Sequence, residues 1–230
     1  MIRRHPTRLL ALLAVPILAA ACSTTGSAIP PVGSIGPSAG ASLQHAGDST
    51  YPPGCPTAQP PALAATDVKT VTIQTDKGAI VIKVEGTLSP IAAGNFVALV
   101  SCGYYDGVIF HRVVPGFVIQ AGDGEFGRSP NVYTDLVGSG GPQYTIKDEP
   151  VNGTYTRGTV AMAKKTAANS ANSQFFIVLK NIAPADLALR YQIFGHVTSG
   201  MDAVDAIAAA ADKENPTNPV VMTKVTVSNP

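Results

Sequence analysis

The chain has no tryptophan, only three cysteines and few charges; aromatic residues make up 6% and Asp, Glu, Lys and Arg together 13% of its 230 residues. Sixteen basic residues nearly balance fifteen acidic ones, leaving a formal charge of +1. A balance this even excludes a broad attraction to nucleic acid or acidic lipid. The histidines at 5, 45, 111 and 196 show no metal-ligand spacing, and there is no phosphate-binding glycine loop. Neither metal nor cofactor is expected. The apolar stretch Leu9 to Ala21 falls short of the roughly 20 residues that a spanning helix needs.

That short stretch has another use. Arg3, Arg4 and Arg8 precede it, and small residues follow up to Cys22, so residues 1–21 read as an export signal. Leu18-Ala19-Ala20-Ala21-Cys22 resembles a bacterial lipobox, with Ala19 where leucine is commoner; an ordinary signal peptide cut nearby is the alternative. A lipidated Cys22 would anchor the chain to the extracytoplasmic face of the cell membrane without spanning it. Residues 22–65, rich in Ser, Gly, Pro, Ala and Thr, read as the lipidated cysteine and a flexible tether with an end-to-end distance of roughly 35 Å. Export to an oxidising compartment makes Cys55 and Cys102 candidates for a disulfide, free thiols being the alternative.

The most informative stretch runs from Phe110 to Asp123 (FHRVVPGFVIQAGD). Two apolar runs break at Pro115-Gly116 and read as two strands joined by a bend. Alternation puts Phe110, Arg112 and Val114 on one face of the first strand, and Val118 with Gln120 on one face of the second. An arginine and a glutamine on such strands are costly to bury unless something pairs with them. They form either a buried hydrogen-bonded pair or a cationic donor set beside an apolar pocket.

With Tyr105 and Val108 ahead of it, this segment resembles the signature of the cyclophilin-type peptidyl-prolyl cis-trans isomerases. Gly158-Thr159-Val160-Ala161-Met162-Ala163, followed by Asn172-Ser173-Gln174-Phe175-Phe176-Ile177, is similar to that family's other site-forming region. Tyr191-Gln192-Ile193-Phe194-Gly195-His196-Val197 resembles its penultimate strand. The blocks keep the family's order from about Thr70 to the C-terminus. Residues 66–230 are therefore expected to form the isomerase domain.

Elsewhere, Val71–Thr75 and Ala79–Val84 flank Asp76-Lys77-Gly78 as a hairpin. Ser89-Pro90 reads as the N-cap and first residue of a helix, and Met201–Ala211 as a second helix. Val220–Val227 reads as a last strand. The fold class is mainly β. The resemblance sharpens it to a closed eight-stranded antiparallel barrel capped by two helices.

An X–Pro bond turns slowly because its amide has partial double-bond character. Catalysis needs a grip on the ring and a donor that favours the twisted state. The resemblance implies that Arg112 is that donor, with Gln120 orienting it. It implies Phe117, Val118, Phe176 and Leu187 as the ring pocket, with Val118 where methionine is common. His111 is expected at the pocket edge. Ala163-Lys164 and Gln174 are expected to bind the peptide, with Tyr191 where eukaryotic members carry histidine. Partners are proline-containing peptides and unfolded exported proteins, and the membrane through the lipid anchor, but not nucleic acid; the chain is expected to act as a monomer.

Asp186 replaces a tryptophan that many cyclosporin-sensitive members carry, so weak cyclosporin binding is expected. Gly124–Val137 reads as an insertion before Gly138-Ser139-Gly140-Gly141-Pro142, beside the groove. Gly36-Pro37-Ser38-Ala39-Gly40 matches a serine-hydrolase pattern but lacks the strand and helix that the motif requires. Two rivals stand beside the isomerase: a proline-peptide binding module that catalyses poorly, and a structural envelope lipoprotein. Arg112 counts against the first, since binding alone has no need of it.

Overall fold

A computed structural model describes residues 51–183, 187 and 190–230. Cys22, the signal segment and Asp186 lie outside the described residues. Residue contacts divide the chain into 1–46 and 47–230, and all described residues belong to the second unit. None of the described helices is long and apolar enough to cross a membrane.

Strands β1 (Val68–Thr75) and β2 (Gly78–Glu85) form the hairpin. Its turn needs Gly78 at φ 121°, which favours glycine. Alternation buries Val71 and Ile73 against Ile80, Ile82 and Val84. Helix α1 (Pro90–Ser101) follows. Ser89 sits at its N-cap, but its hydroxyl has no partner among the described residues. The cap comes instead from Glu149, whose carboxylate accepts from the Ile91 and Ala92 amides at 2.8 and 2.9 Å. Its negative charge also suits the helix N-terminus.

Next come β3 (Arg112–Val114), β4 (Val118–Ala121), β5 (Thr159–Met162), β6 (Phe175–Val178), β7 (Ile193–Ser199), α2 (Met201–Ala210) and β8 (Lys224–Ser228). All strands pair antiparallel in one sheet of order β3-β4-β6-β5-β7-β2-β1-β8. The fold is mainly β with two helices, but the expected closed ladder is corrected to an open one, because β3 and β8 share no pairing. The outer edge of β3 is occupied: the Val113 amide donates to the Glu214 carbonyl at 2.7 Å. Across the seam, residues 107–110 meet 220–222 through the single bridge Ile109–Val221 and three main-chain bonds of 2.8–2.9 Å.

Phe96, Tyr105, Phe175 and Phe194 pack ring to ring in the main core. Phe110 joins that core rather than sharing a face with Arg112 and Val114, because β3 begins only at Arg112. A second, smaller cluster of Val118, Tyr155, Ala161, Phe176, Val178 and Ile193 lies apart from it. Two of its members, Val118 and Phe176, line the site described below.

Residues 51–65 are not the free end of a tether. They form a strap on the domain, although composition reads residues up to 65 as tether. Cys55 and Cys102 are joined by a disulfide, with Cα atoms 5.2 Å apart. The Tyr51 and Tyr104 ring centroids lie 5.6 Å apart, and the Leu63 amide donates to the Pro90 carbonyl at 2.9 Å. The strap passes so close to α1 that a β-carbon on Gly94 would lie 2.3 Å from the Pro61 oxygen. Glycine weakens a helix interior by about 1 kcal/mol, so this position is chosen for the crossing and not for helicity. Closing the 47-residue loop contributes about 4 kcal/mol in the chain-entropy picture.

Candidate active site

Register aligns the chemistry. Arg112 on β3 faces Gln120 on β4, Gln120 faces Phe176 on β6, and Phe176 faces Ala161 on β5. Arg112, Gln120 and Phe176 line one groove of about 290 Å³. Its apolar end is made by Phe117, Val118, Phe176, Leu187 and Tyr191. Val118 and Phe176 are nearly buried, while Phe117, Leu187 and Tyr191 are half-buried walls. Tyr191 meets Phe176 edge to face at 5.6 Å. Two bonds of 2.9 Å hold its main chain to the Tyr155 hydroxyl, which donates to the Tyr191 carbonyl and accepts from its amide.

The polar side is a continuous relay. The Arg112 Nη1 reaches Gln120 Oε1 through a long contact of 3.5 Å. Gln120 Nε2 donates to Gln174 Oε1 at 3.0 Å. Gln174 Nε2 donates to the carbonyls of Gly138 and Gly140, at 3.0 and 2.9 Å. Gly138, Ser139 and Gly140 form a lip along the groove. Asp123, fully buried, holds that lip from behind: its carboxylate accepts from the amides of Gly138, Gly140, Glu125 and Phe126, at 2.7–3.1 Å. The Gly138 and Gly140 amides thus go to a carboxylate and their carbonyls to a carboxamide, while the Ser139 amide donates to the Leu136 carbonyl at 3.0 Å.

The insertion between Asp123 and the lip packs back on the domain. Its residues Gly127 and Val132 form a bridge, and Arg128 donates to the main-chain carbonyls of Tyr104 and Asp106. At the other end of the relay, Arg112 Nε donates to Glu214 at 2.6 Å, where the same residue's carbonyl takes the Val113 amide. An Asp212–Thr217 contact closes that loop. The pairing leaves Nη2 and part of Nη1 for the groove, and the side chain as a whole is about a third exposed.

Ala163 and Lys164 run along the groove after β5. The Ala163 amide extends the ladder to the Gln174 carbonyl at 2.8 Å. The Lys164 main chain makes no hydrogen bond among the described residues, so an extended peptide can pair with it. Its side chain turns to Asp148 in an ion pair.

The structure thus gathers Arg112, Gln120, Phe117, Val118, Ala163, Lys164, Gln174, Phe176, Leu187 and Tyr191 around one groove. His111 is the exception and its expected place is corrected. It is 5% exposed and does not line the groove. It lies behind the lip, where a β-carbon on Gly138 would come within 3.5 Å of its ring. Neither ring nitrogen has a partner among the described residues. Burial pushes its pKa down from 6.5 to about 4, against the pull of Asp123. Below the unfolded value of 6.5 the unfolded chain takes up the proton first, so stability is lost as pH falls from 6.5 to 4. The wild type should lose roughly 2–3 kcal/mol more than His111→Leu between pH 7 and 4.5, read from urea melts at both pH values. Equal losses would place the acid sensitivity elsewhere.

Lys165, Ser170, Asn172 and the lip complete the groove and went unrecognised in the sequence as site residues. Asp123 and Glu214 also escaped it as supports. Glu214 lies 102 residues from Arg112, and no local pattern marks it.

An eight-stranded sheet thus offers an unpaired main-chain edge, an apolar pocket and a held guanidinium in one groove. Residues 70–227 match the family described as cyclophilin type peptidyl-prolyl cis-trans isomerase/CLD. A probable peptidyl-prolyl cis-trans isomerase of Brucella abortus is 39% identical over 170 residues, covering 72% of this chain and 86% of the relative. Peptidyl-prolyl cis-trans isomerase B of Escherichia coli is 36% identical over 174 residues, covering 69% of this chain and 99% of its own. A cyclophilin type isomerase of Cryptosporidium parvum superposes with a TM-score of 0.61 at 29% identity, covering 71% of this chain and 99% of that one. The chain belongs to the cyclophilin-type peptidyl-prolyl cis-trans isomerases, and it is an enzyme of that class.

Proposed function

We propose that this isomerase works on X–Pro bonds of exported or envelope proteins, assisting their folding while held by a lipid on Cys22 at the outer face of the cell membrane. The catalytic part of the proposal rests on one observation: Arg112 is braced from both sides, by Glu214 and by Gln120, beside an apolar pocket sized for a ring. As the imide nitrogen pyramidalises, its lone pair localises and becomes an acceptor. A guanidinium already in place donates to it without reorganising, and the bond is stronger in the twisted state than in either planar one. The reaction needs no nucleophile.

Residues 1–21, the cysteine at 22 and the Cys55–Cys102 disulfide support the envelope part. Disulfides persist in oxidising compartments and are rare where glutathione keeps thiols reduced. The test is metabolic labelling in a bacterial host with a tagged fatty acid. Label should enter the full-length chain, and Cys22→Ala should carry none and leave the membrane fraction. Equal labelling of both would sink the anchor. An isomerase assay on the same two preparations separates this from the catalytic claim, because loss of the lipid leaves the groove intact.

A further inference from the structure

The groove carries an unbalanced charge. Among the described residues its lining holds three cations, Arg112, Lys164 and Lys165, and no carboxylate. Two of the three are neutralised from outside the lining: Arg112 pairs with Glu214 and Lys164 with Asp148. Lys165 is exposed and pairs with no carboxylate among the described residues. Of the acidic groups at the lip, Asp123 is buried behind it and spent on four amides, and Glu125 accepts from the Gly141 amide at 3.1 Å; neither lines the groove. Arg190, over the Tyr191 ring, adds a further positive charge near the apolar end.

The polar groups beside Lys165 lean the same way. Asn172 spends its carbonyl oxygen on the Ser173 amide, which leaves its Nδ2 as a donor. A β-carbon on Gly141 would lie 2.2 Å from that nitrogen, so the carboxamide is packed against the lip. Ser139 and Ser170 direct their protons to the main-chain carbonyls of Leu136 and Ala167. Among the described residues, this end of the groove therefore offers an unpaired ammonium and an amide donor, and its lining holds no carboxylate.

We propose that the Lys165 end of the groove takes a carboxylate side chain of the substrate, carried on a residue next to or near its proline, so that acidic flanking residues set the enzyme's preference. The inference rests on the isomerase reading of the same groove. A cavity of about 290 Å³ admits the proline and only its immediate neighbours, so the carboxylate belongs to a residue close in sequence. The effect is selective more than it is strong, because an exposed lysine–carboxylate pair contributes little in water and is screened by salt.

The test uses the full-length protein and blocked, otherwise uncharged proline peptides in pairs. Each pair carries Glu or Gln, which are nearly isosteric, at one position: two residues before the proline, one before, or one after. The wild type should prefer Glu at one position by about threefold to fivefold in kcat/KM at low ionic strength. The ratio should approach one near 1 M salt, where charges a few ångströms apart are screened. Lys165→Gln should bring it near one at low salt, and Lys165→Glu should reverse it. A wild-type ratio near one at all three positions overturns the proposal, as does a preference that survives in Lys165→Glu. If even the Gln peptides are not turned over by the wild type, the isomerase reading fails instead.

Discussion

Arg112→Ala should lower kcat/KM for a proline peptide by about 10²-fold or more and leave the fold intact. The size follows from removing one preorganised donor aimed at developing charge, which elsewhere costs about 2.7–4 kcal/mol of transition-state stabilisation. Most of the loss should fall on kcat, because the donor's best acceptor exists only once the imide nitrogen is twisted. The fold should survive, since the side chain is about a third exposed and its ion pair with Glu214 lies at the surface. Arg112→Lys should recover little. A single ammonium on a flexible stem cannot satisfy Glu214 and Gln120 together and still face the groove. The measurement is a coupled isomerase assay beside a thermal melt of each variant. A loss smaller than about tenfold in a folded Arg112→Ala protein would show that the rate comes from the pocket and not from this donor.

The second large effect is expected at a residue that never touches substrate. Asp123→Ala removes the acceptor for four main-chain amides at once. A buried amide left without a partner costs about 1–3 kcal/mol; the Gly140 amide is buried and the other three partly so, and the four fix both the start of the insertion and the lip. The alanine variant should lose more than about 3 kcal/mol and is at risk of not folding. Asp123→Asn is the sharper probe. It keeps one acceptor oxygen and turns a donor towards two amides that are themselves donors. A folded Asn variant should exchange the Gly138 and Gly140 amide hydrogens faster than the wild type. It should also turn over peptide more slowly, because Gln174 would lose the fixed carbonyls it is anchored on and pass the slack to Gln120 and Arg112. Amide exchange and activity unchanged from the wild type would refute this role.

Local patterns carried the strands and the groove face. The alternation in β1 and β2, the glycine after Asp76-Lys77 and the break at Pro115-Gly116 are readable because side-chain period and turn chemistry are short-range. Arg112 and Gln120 were visible for the same reason, as polar residues on the exposed face of two adjacent apolar strands. The supports were not. Glu149 caps a helix 58 residues away and Glu214 braces an arginine 102 residues away, so their roles exist only after the chain has closed. His111 lies just outside β3, so strand alternation does not place it, and it is buried behind the lip instead of lining the groove. The expected closed barrel failed at β3, where the Glu214 carbonyl takes the edge that a neighbouring strand would have used. The strap was missed on composition. A Pro- and Ala-rich segment reads as flexible, and what orders this one is a covalent link and a missing β-carbon on another element.

That strap gives the domain a strain relief. A pull on the chain ahead of residue 51 meets Cys55 before it meets any strand, and the disulfide hands the load to Cys102 at the C-terminal cap of α1. The first residue of β1, Val68, lies behind that junction, so β1 is not peeled from β2 and β8 when the N-terminal side is tugged. Load applied from that side would take a covalent path, while the strands that align Arg112, Gln120 and Phe176 stay slack.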